Sequence, residues 1–293
     1  MQVFVTGATG NIGSAVVAEL LAHGHTVTGL ARSDASAAKL EAAGAEAVRG
    51  ALADLDIVRS AAVHADGVIH LAFTNDFSSP AALAAGIAEE TAAITAIGEG
   101  MVGSGKPFVV CSGTPWIPGR AAVESDPLPT QGPVGGRAIT VERILALSEQ
   151  GIRTSAVRLP RTVHQNGDGG FAGLLTQVAR RSGVSGYPGD GTQRWPAVHS
   201  ADAAALFRLA LEKAPAGTSW HAVADEGDRV LDIATVIGRR LGLPVQSVPT
   251  ETYGPVGTIF AMDQPAASAN TRQALGWEPT HPSLLADLEL IEP

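Results

Sequence analysis

The sequence predicts an α/β protein with a Rossmann-like, doubly wound parallel sheet and a smaller C-terminal part. Apolar segments of strand length alternate with longer, Ala-rich segments of helical period, which is typical of repeated βαβ units. The short segments are almost entirely apolar, as expected of parallel strands covered by helices on both faces. A glycine-rich turn directly after the first strand completes the pattern.

The alternation is regular over the first 160 residues and weaker afterwards. Strands are predicted at residues 2–6, 26–31, 45–49, 67–72, 108–112 and 154–159, and helices at 12–22, 35–43, 56–63, 80–102 and 137–149. A further strand is predicted at 220–224, and further helices at 201–212, 231–241 and 283–290. Glycine and proline are dense at 166–170, 183–191 and 253–265, which predicts loops around a pocket.

Composition narrows the class of protein. The 293 residues are 45% hydrophobic, enough for a large core. No stretch reaches the roughly 18 consecutive apolar residues of a membrane span, and the first apolar run lacks a basic region before it. The single cysteine, Cys111, excludes an internal disulfide, and the net charge of −9 disfavours nucleic acid. We expect a cytoplasmic protein with no nucleic-acid, membrane or metal partner.

The glycine-rich turn predicts a dinucleotide site. Gly7, Gly10 and Gly13 are spaced by three between a strand and a helix. Glycine allows the turn and the close approach of a pyrophosphate to backbone N–H groups, and the helix N-terminus favours that anion.

The end of the second strand favours NADP over NAD. An acidic residue here would bind the ribose 2′-hydroxyl of NAD, whereas Arg32 and Ser33 can contact a 2′-phosphate. A solvated Arg32 is the alternative, and Asp34 keeps NAD possible. Asp54 lies where a loop could meet the adenine, or it could cap the following helix.

These motifs resemble the short-chain dehydrogenase/reductase superfamily, in its extended and atypical NAD(P)-dependent epimerase/dehydratase-like branch. The likeness rests on Thr6–Gly13 together with His70-Leu-Ala72, Arg158-Leu-Pro160, Val198-His-Ser-Ala-Asp202 and Leu275-Gly-Trp277-Glu-Pro279. It implies a Rossmann domain at 1–160, completed near 192–225, and a substrate-binding part at 161–191 and 226–293. The expected cofactor contacts are Gly7, Thr9, Gly10, Asn11, Ile12, Gly13, Arg32, Ser33, Asp54, Leu55, Leu71, Ala72, Phe73, Leu159 and Pro160.

The sequence lacks the catalytic Tyr-x-x-x-Lys motif of the family it resembles. If the helix that begins at Arg137 is the equivalent of the family's catalytic helix, Val134 and Ala138 occupy the tyrosine and lysine positions. Glycines stand four residues after Tyr187 and Tyr253. A family-type tyrosine therefore cannot exchange a proton with the substrate.

Other side chains are candidates for that role and for substrate binding. Ser112 or Thr114 could replace the family's catalytic hydroxyl, or could instead satisfy backbone at the strand end. His164 could donate a proton near neutral pH, or be an ordinary loop histidine. The substrate-binding candidates, for which salt bridges and ordinary packing are the alternatives, are Trp116, Arg137, Arg194 and Trp195.

Three functions are compatible with these residues. The first is an NADP-dependent oxidoreductase, an atypical short-chain reductase that transfers hydride to a small apolar carbonyl, imine or activated alkene. The second is a non-catalytic NADP-binding sensor, and the third an epimerase or dehydratase. The resemblance also implies a homodimer through the helices at 80–102 and 137–149.

Overall fold

The predicted α/β architecture is confirmed by a computed structural model, which describes residues 1–74, 76, 79–132 and 134–293. Its N-terminal elements are β1 (Gln2–Thr6), α1 (Asn11–Ala22), β2 (Thr26–Ala31), α2 (Asp34–Ala42), β3 (Glu46–Arg49), α3 (Leu55–His64), β4 (Gly67–His70), α4 (Pro80–Met101), β5 (Pro107–Gly113), α5 (Gly135–Ala146) and β6 (Arg153–Leu159). They lie within a few residues of the predicted bounds.

The remaining elements alternate less regularly. They are β7 (Thr162–His164), α6 (Gly170–Ser182), β8 (Ser185–Pro188), β9 (Arg194–His199), α7 (Ser200–Lys213), β10 (Thr218–His221), β11 (Asp225–Arg229), α8 (Val230–Leu241), β12 (Val245–Val248), α9 (Gly257–Phe260), α10 (Ala269–Leu275) and α11 (Leu284–Asp287). Short 3-10 helices occupy Leu147–Gln150, Thr250–Val256 and Leu288–Leu290.

The central sheet has seven parallel strands in the order β3-β2-β1-β4-β5-β6-β10. The chain runs outward from β1 in one direction and then from β4 in the other. The order therefore reverses between β1 and β4, and ligands of such sheets bind beyond the carboxyl ends of the strands at this point.

Helices cover both faces of this sheet because successive side chains of each strand point to opposite sides. Val3 and Val5 of β1 pack into a core with α1, α2 and α7, whereas Phe4 packs into a second core with α3, α4 and α5. The two-sided burial explains why the strands read as continuous apolar runs.

The C-terminal part has its own core and two small sheets. One sheet has the order β11-β9-β7 and the other pairs β12 with β8, while α6, α8 and α11 contribute to a third apolar cluster. Only β10 of the region 192–225 joins the central sheet, so the expectation that this whole region completes that sheet is corrected for β9. The division into a Rossmann domain and a substrate-binding part stays a prediction.

Helix α4 is long and apolar enough to cross a membrane by length and composition. It packs instead against α3 and α5, and its Glu90 forms an ion pair with Arg137 of α5. Helix α4 therefore contacts protein on two sides, and its buried charge is paired within the fold.

Asp202, in the first turn of α7, ties that helix to the segment after α10. Its buried carboxylate accepts hydrogen bonds from the backbone N–H groups of Thr280 and His281, at 3.0 and 3.1 Å. Its backbone carbonyl accepts a bond from Trp277 Nε1 at 2.9 Å. Since α7 also packs on the central sheet, this cluster joins the two parts of the chain.

Replacing Asp202 by Ala should destabilise the protein by about 1–3 kcal/mol, because partly buried N–H groups lose their acceptor. Urea unfolding followed by circular dichroism measures the change. Asp232→Ala removes an exposed carboxylate from a surface pair and should have little effect. Equal losses in the two variants would contradict the assigned role of Asp202.

Candidate active site

The glycine turn has the shape that a bound dinucleotide requires. Gly7 adopts a φ of 69°, and a Cβ there would lie 2.8 Å from the backbone nitrogen of Ala72. A Cβ on Gly13 would lie 2.0 Å from the carbonyl oxygen of Gly7. Gly10, which has no side chain to cap α1, leaves the first N–H groups of that helix for a phosphate. The turn therefore fits the cofactor, with Thr9, Asn11 and Ile12 around it.

The carboxyl end of β2 is rich in positive charge. Arg32 is exposed, and Ser33 caps α2 by accepting a hydrogen bond from the N–H of Ser36 at 3.2 Å. Asp34, the residue that could favour NAD, pairs with Arg49 at 2.9 Å. The acidic residue nearest to Arg32 in sequence, Asp34, thus forms an ion pair with a second arginine, Arg49.

The loop after β3 ends at Asp54, and Leu55 begins α3. Asp54 is exposed, and its carboxylate accepts a hydrogen bond from the N–H of Ala51 at 2.7 Å. It occupies the N-cap position of α3 without a side-chain capping bond. Its predicted contact with the adenine therefore stays open.

Buried polar contacts connect β1 to the end of β4. Thr6 Oγ1 lies 2.9 Å from His70 Nδ1 and accepts hydrogen bonds from the N–H groups of Leu71 and Ala72, both at 3.3 Å. Burial and the nearby charge of Arg137 lower the pKa of His70 to about 3. A neutral His70 thus helps to position the β4 segment that is expected to contact the cofactor.

An ion pair lies beside this segment. Arg137 donates to both carboxylate oxygens of Glu90 at 2.6 Å, through Nε and Nη2, and its guanidinium lies 3.9 Å from the centre of the Phe73 ring. Burial raises the pKa of Glu90, and Arg137 opposes that shift. Arg137 was predicted to anchor the substrate. In the structure, two of its N–H groups donate to the Glu90 carboxylate.

The two positions expected to correspond to the family's catalytic pair contain no titratable group. Val134 is 45% exposed just before α5, and Ala138 is 6% exposed within it. Burial raises the pKa of the Cys111 thiol, on neighbouring β5, to about 12, so this thiol is also protonated at neutral pH.

Hydroxyl groups remain at the end of β5. The backbone N–H of Thr114 donates to the carbonyl of Leu159 at 2.9 Å, and its own carbonyl accepts a bond from Gln264 Nε2 at 2.8 Å. Its buried Oγ1 has no partner within the described ranges. Thr114 and the buried Ser112 both stay predicted catalytic residues.

Two predicted site residues lie in the core. His164 is 1% exposed, with Nδ1 bonded to Asp287 at 3.0 Å, and Trp195 is 0% exposed, packed between Phe171 and Phe260. These placements correct the expectation that His164 faces the substrate and that Trp195 lines its pocket. Burial excludes both side chains from contact with a ligand in this conformation.

The two remaining substrate candidates meet at Asp263. Arg194 donates to both oxygens of that carboxylate, at 3.1 and 2.8 Å, and Trp116 Nε1 donates to the Asp263 carbonyl at 3.0 Å. Trp116 remains 42% exposed. Of the pair, Trp116 offers the larger free surface to a ligand.

Sequence reasoning gave no role of their own to Glu90, His70 and Arg161, although His70 begins a motif shared with the family and Arg161 lies in the loop at 159–162 that was expected to contact the cofactor. The signal for Glu90 was an acidic residue within a long apolar helix, and the signal for His70 was its place at the end of an apolar strand. Arg161 follows Pro160 directly, in the loop after β6. It is half-buried, and burial lowers its pKa to about 10.

The model of the NAD dependent epimerase/dehydratase family matches residues 3–223. The chain belongs to this family. The family lies in the extended branch of the short-chain dehydrogenase/reductase superfamily. Its members are NAD(P)-dependent enzymes. The cofactor class is therefore NAD(P).

Related proteins span nearly the whole chain. Uncharacterized protein C2A9.02 of Schizosaccharomyces pombe is 44% identical over 299 residues, covering 98% of both chains. UDP-glucose 4-epimerase of Streptomyces lividans is 25% identical over 316 residues, covering 98% of this chain and 93% of its own.

Solved structures show the same fold. The UDP-glucose-4-epimerase of Stenotrophomonas maltophila, with bound NAD and formylated UDP-arabinopyranose, has a TM-score of 0.77 and 21% identity, covering 99% of this chain and 96% of its own. The dTDP-glucose 4,6-dehydratase DesIV of Streptomyces venezuelae, with NAD bound, has a TM-score of 0.79 and 18% identity, covering 99% and 95%.

Replacing Arg137 by Met should destabilise the protein more at pH 8 than at pH 5. Glu90, whose pKa is already raised, loses the cation that opposes the shift, so its ionised form becomes costlier as pH rises through the new pKa. An unpaired buried charge costs about 3–5 kcal/mol. Thermal unfolding at both pH values measures the difference.

The double variant Glu90→Gln with Arg137→Met serves as the control, because it removes the ionisable partner. It should unfold with little additional pH dependence. If the single variant lost the same stability at both pH values, ionised Glu90 would not be the cause.

Proposed function

We propose that this protein is an NADP-dependent reductase that transfers hydride to a carbonyl, imine or activated alkene of a small substrate. The proposal is supported by a glycine turn whose close contacts fit a dinucleotide, together with Val134 and Ala138 at the positions expected for the catalytic pair. NADPH supplies the hydride when bound. The protein's own residues then have to orient the acceptor and protonate its partner atom.

The missing tyrosine affects hydride transfer in both directions. Oxidation of an alcohol requires a base to take the hydroxyl proton as hydride leaves, and neither valine nor alanine can do so. Reduction requires a group that supplies the same proton, and in this chain that role falls to another hydroxyl or to water. The alternative function of an epimerase or dehydratase fits the family, but a route that begins with alcohol oxidation would need a base other than the family tyrosine.

Thr114 is the proposed contact for the substrate heteroatom, with Ser112 beside it on β5. Its Oγ1 is buried and has no partner within the described part of the chain, and both of its backbone polar groups are already hydrogen-bonded. The hydroxyl therefore keeps its hydrogen for a reduced oxygen or nitrogen that reaches it.

The preference for NADP rests on the charge around β2. Arg32 offers a guanidinium to the 2′-phosphate, and Arg49 neutralises Asp34, which would otherwise repel that phosphate. Ser33 caps α2 with its oxygen, and its hydroxyl also lies 3.0 Å from that of Ser36, where either group can be the donor. The homodimer through α4 and α5 and the cytoplasmic location remain predictions that accompany the proposal.

Arg32→Ala should weaken NADPH binding about 10- to 100-fold, which corresponds to one lost hydrogen bond between charged groups, and should leave NADH binding nearly unchanged. Titration of nicotinamide fluorescence measures both dissociation constants. Arg181→Ala removes another exposed arginine, at the end of α6, and should change neither constant. An equal effect of Arg32→Ala on both cofactors would count against the phosphate contact.

The reductase itself is tested by the loss of NADPH absorbance with aldehydes, cyclic imines and enones. Thr114→Val should lower kcat about a hundredfold if the hydroxyl donates the proton. Thr235→Val, which removes an exposed hydroxyl on α8, should leave kcat unchanged. Saturable NADPH binding with no turnover on any of the three acceptor classes would reject the reductase and favour the sensor.

A further inference from the structure

Arg161 is a half-buried cation whose side chain has no hydrogen-bonding partner among the described residues. It follows Pro160 in the loop between β6 and β7, at the carboxyl edge of the central sheet. Its Nε is buried and makes no hydrogen bond within residues 1–74, 76, 79–132 and 134–293. Leaving a desolvated guanidinium unpaired is costly.

The other arginines that are not exposed all have acceptors. Each donates either to a carboxylate or to backbone carbonyls, in the group Arg59, Arg137, Arg153, Arg158, Arg194, Arg208 and Arg240. The fold thus supplies a partner wherever it buries an arginine, with Arg161 as the exception in the described part of the chain. The missing partner of Arg161 points to an anion that is not part of the chain.

The guanidinium is held in place by an aromatic face. Its central carbon lies 5.2 Å from the centre of the Phe171 ring, and the N–H of Phe171 donates to the carbonyl of Arg161 at 3.3 Å. Phe171 itself packs against Trp195 and Phe260, with ring centres 5.7 and 5.2 Å apart. Stacking on a fixed ring leaves the edge of the guanidinium for a bidentate contact with an oxyanion.

Arg161 is also connected to the candidate hydroxyl. The N–H of Thr114 bonds to the carbonyl of Leu159, which stands two residues before Arg161, and β5 and β6 are paired up to Gly113 and Leu159. The Arg161 loop and Thr114 therefore leave the sheet side by side. A small molecule that reaches both residues would therefore lie over the carboxyl ends of β5 and β6.

We propose that Arg161 binds a carboxylate or phosphate group of the substrate. The inference rests on the proposed function and specifies its substrate class: a small molecule that carries an oxyanion as well as the group that accepts hydride. It replaces the expectation of a purely apolar substrate. A phosphate of the cofactor is the other source of the same chemistry.

Binding of succinate and inorganic phosphate, at constant ionic strength, tests the proposal on protein saturated with NADPH. Isothermal titration should show saturable binding of at least one anion to the unaltered protein. Arg161→Met should weaken that binding about tenfold or more, as expected for loss of a charge-assisted contact, and Arg161→Lys should restore part of it. Arg181→Met, a matched change of an exposed arginine, should have no effect.

Two further measurements separate this contact from other roles of Arg161. NADPH affinity should be unchanged in Arg161→Met, because the anion belongs to the substrate. Without added anion, Arg161→Met should unfold at the same temperature as the unaltered protein or higher, since it removes an unpaired, desolvated charge and keeps a side chain of similar length.

The proposal is overturned if neither anion binds, or if Arg161→Met binds the anion as tightly as the unaltered protein. Weaker NADPH binding in that variant would assign the cation to the cofactor, and a lower unfolding temperature would assign it to the fold. Because anion binding is measured without turnover, a failed reductase assay leaves this result independent of the proposed reaction.

Discussion

The close approach of Gly13 to the carbonyl oxygen of Gly7 is the constraint on which the candidate site depends. Any side chain at Gly13 would meet that oxygen at 2.0 Å, so the start of α1 can press against the end of β1 only with glycine at both places. The same turn touches the backbone of Ala72 after β4, and Thr6 holds the β4 segment by accepting from its N–H groups. A change in this contact would shift the turn and the β4 end together, and with them the surfaces expected to meet the two halves of the cofactor.

Near this turn, the positions expected for the family's catalytic pair hold no side chain that exchanges protons. The site does contain charged side chains. Val134 and Ala138 contribute neither a base nor a cation, whereas Arg137 and Arg161 contribute two guanidinium groups with different surroundings. Arg137 is neutralised by Glu90 and stacked on Phe73, which suits a group that maintains the shape of the site. Arg161 stacks on Phe171 and has no carboxylate partner within the described ranges. This environment suits a residue that binds an anion from outside the chain. In the proposed site, Arg137 maintains the structure and Arg161 recognises the ligand.

The Rossmann half could be predicted from sequence because its signals are local. Each strand is a short apolar run, each helix follows its own period, and the glycine turn lies within one βα unit. The polar contacts were not predictable in this way: Glu90 and Arg137 lie on different helices and meet only after α4 and α5 pack together. Helix α6 was missed because Gly170 and Gly173 made its start read as a loop. Trp195 was misplaced for a related reason, since its neighbours in sequence suggested a pocket, while its burial depends on Phe171 and Phe260 from distant segments.

The Asp202 cluster has a consequence for the order in which the protein can fold during synthesis. The His281 N–H that bonds to this carboxylate lies 79 residues farther along the chain, so α7 leaves the ribosome well before the segment that completes its first turn. Strand β10, at the edge of the central sheet, is likewise made after α7. The N-terminal βαβ units can pair as they emerge, because their contacts are short in sequence. The hydrogen bonds from Thr280 and His281 to Asp202 can form only after that later segment has been made. Until then we expect the Asp202 carboxylate to be solvated.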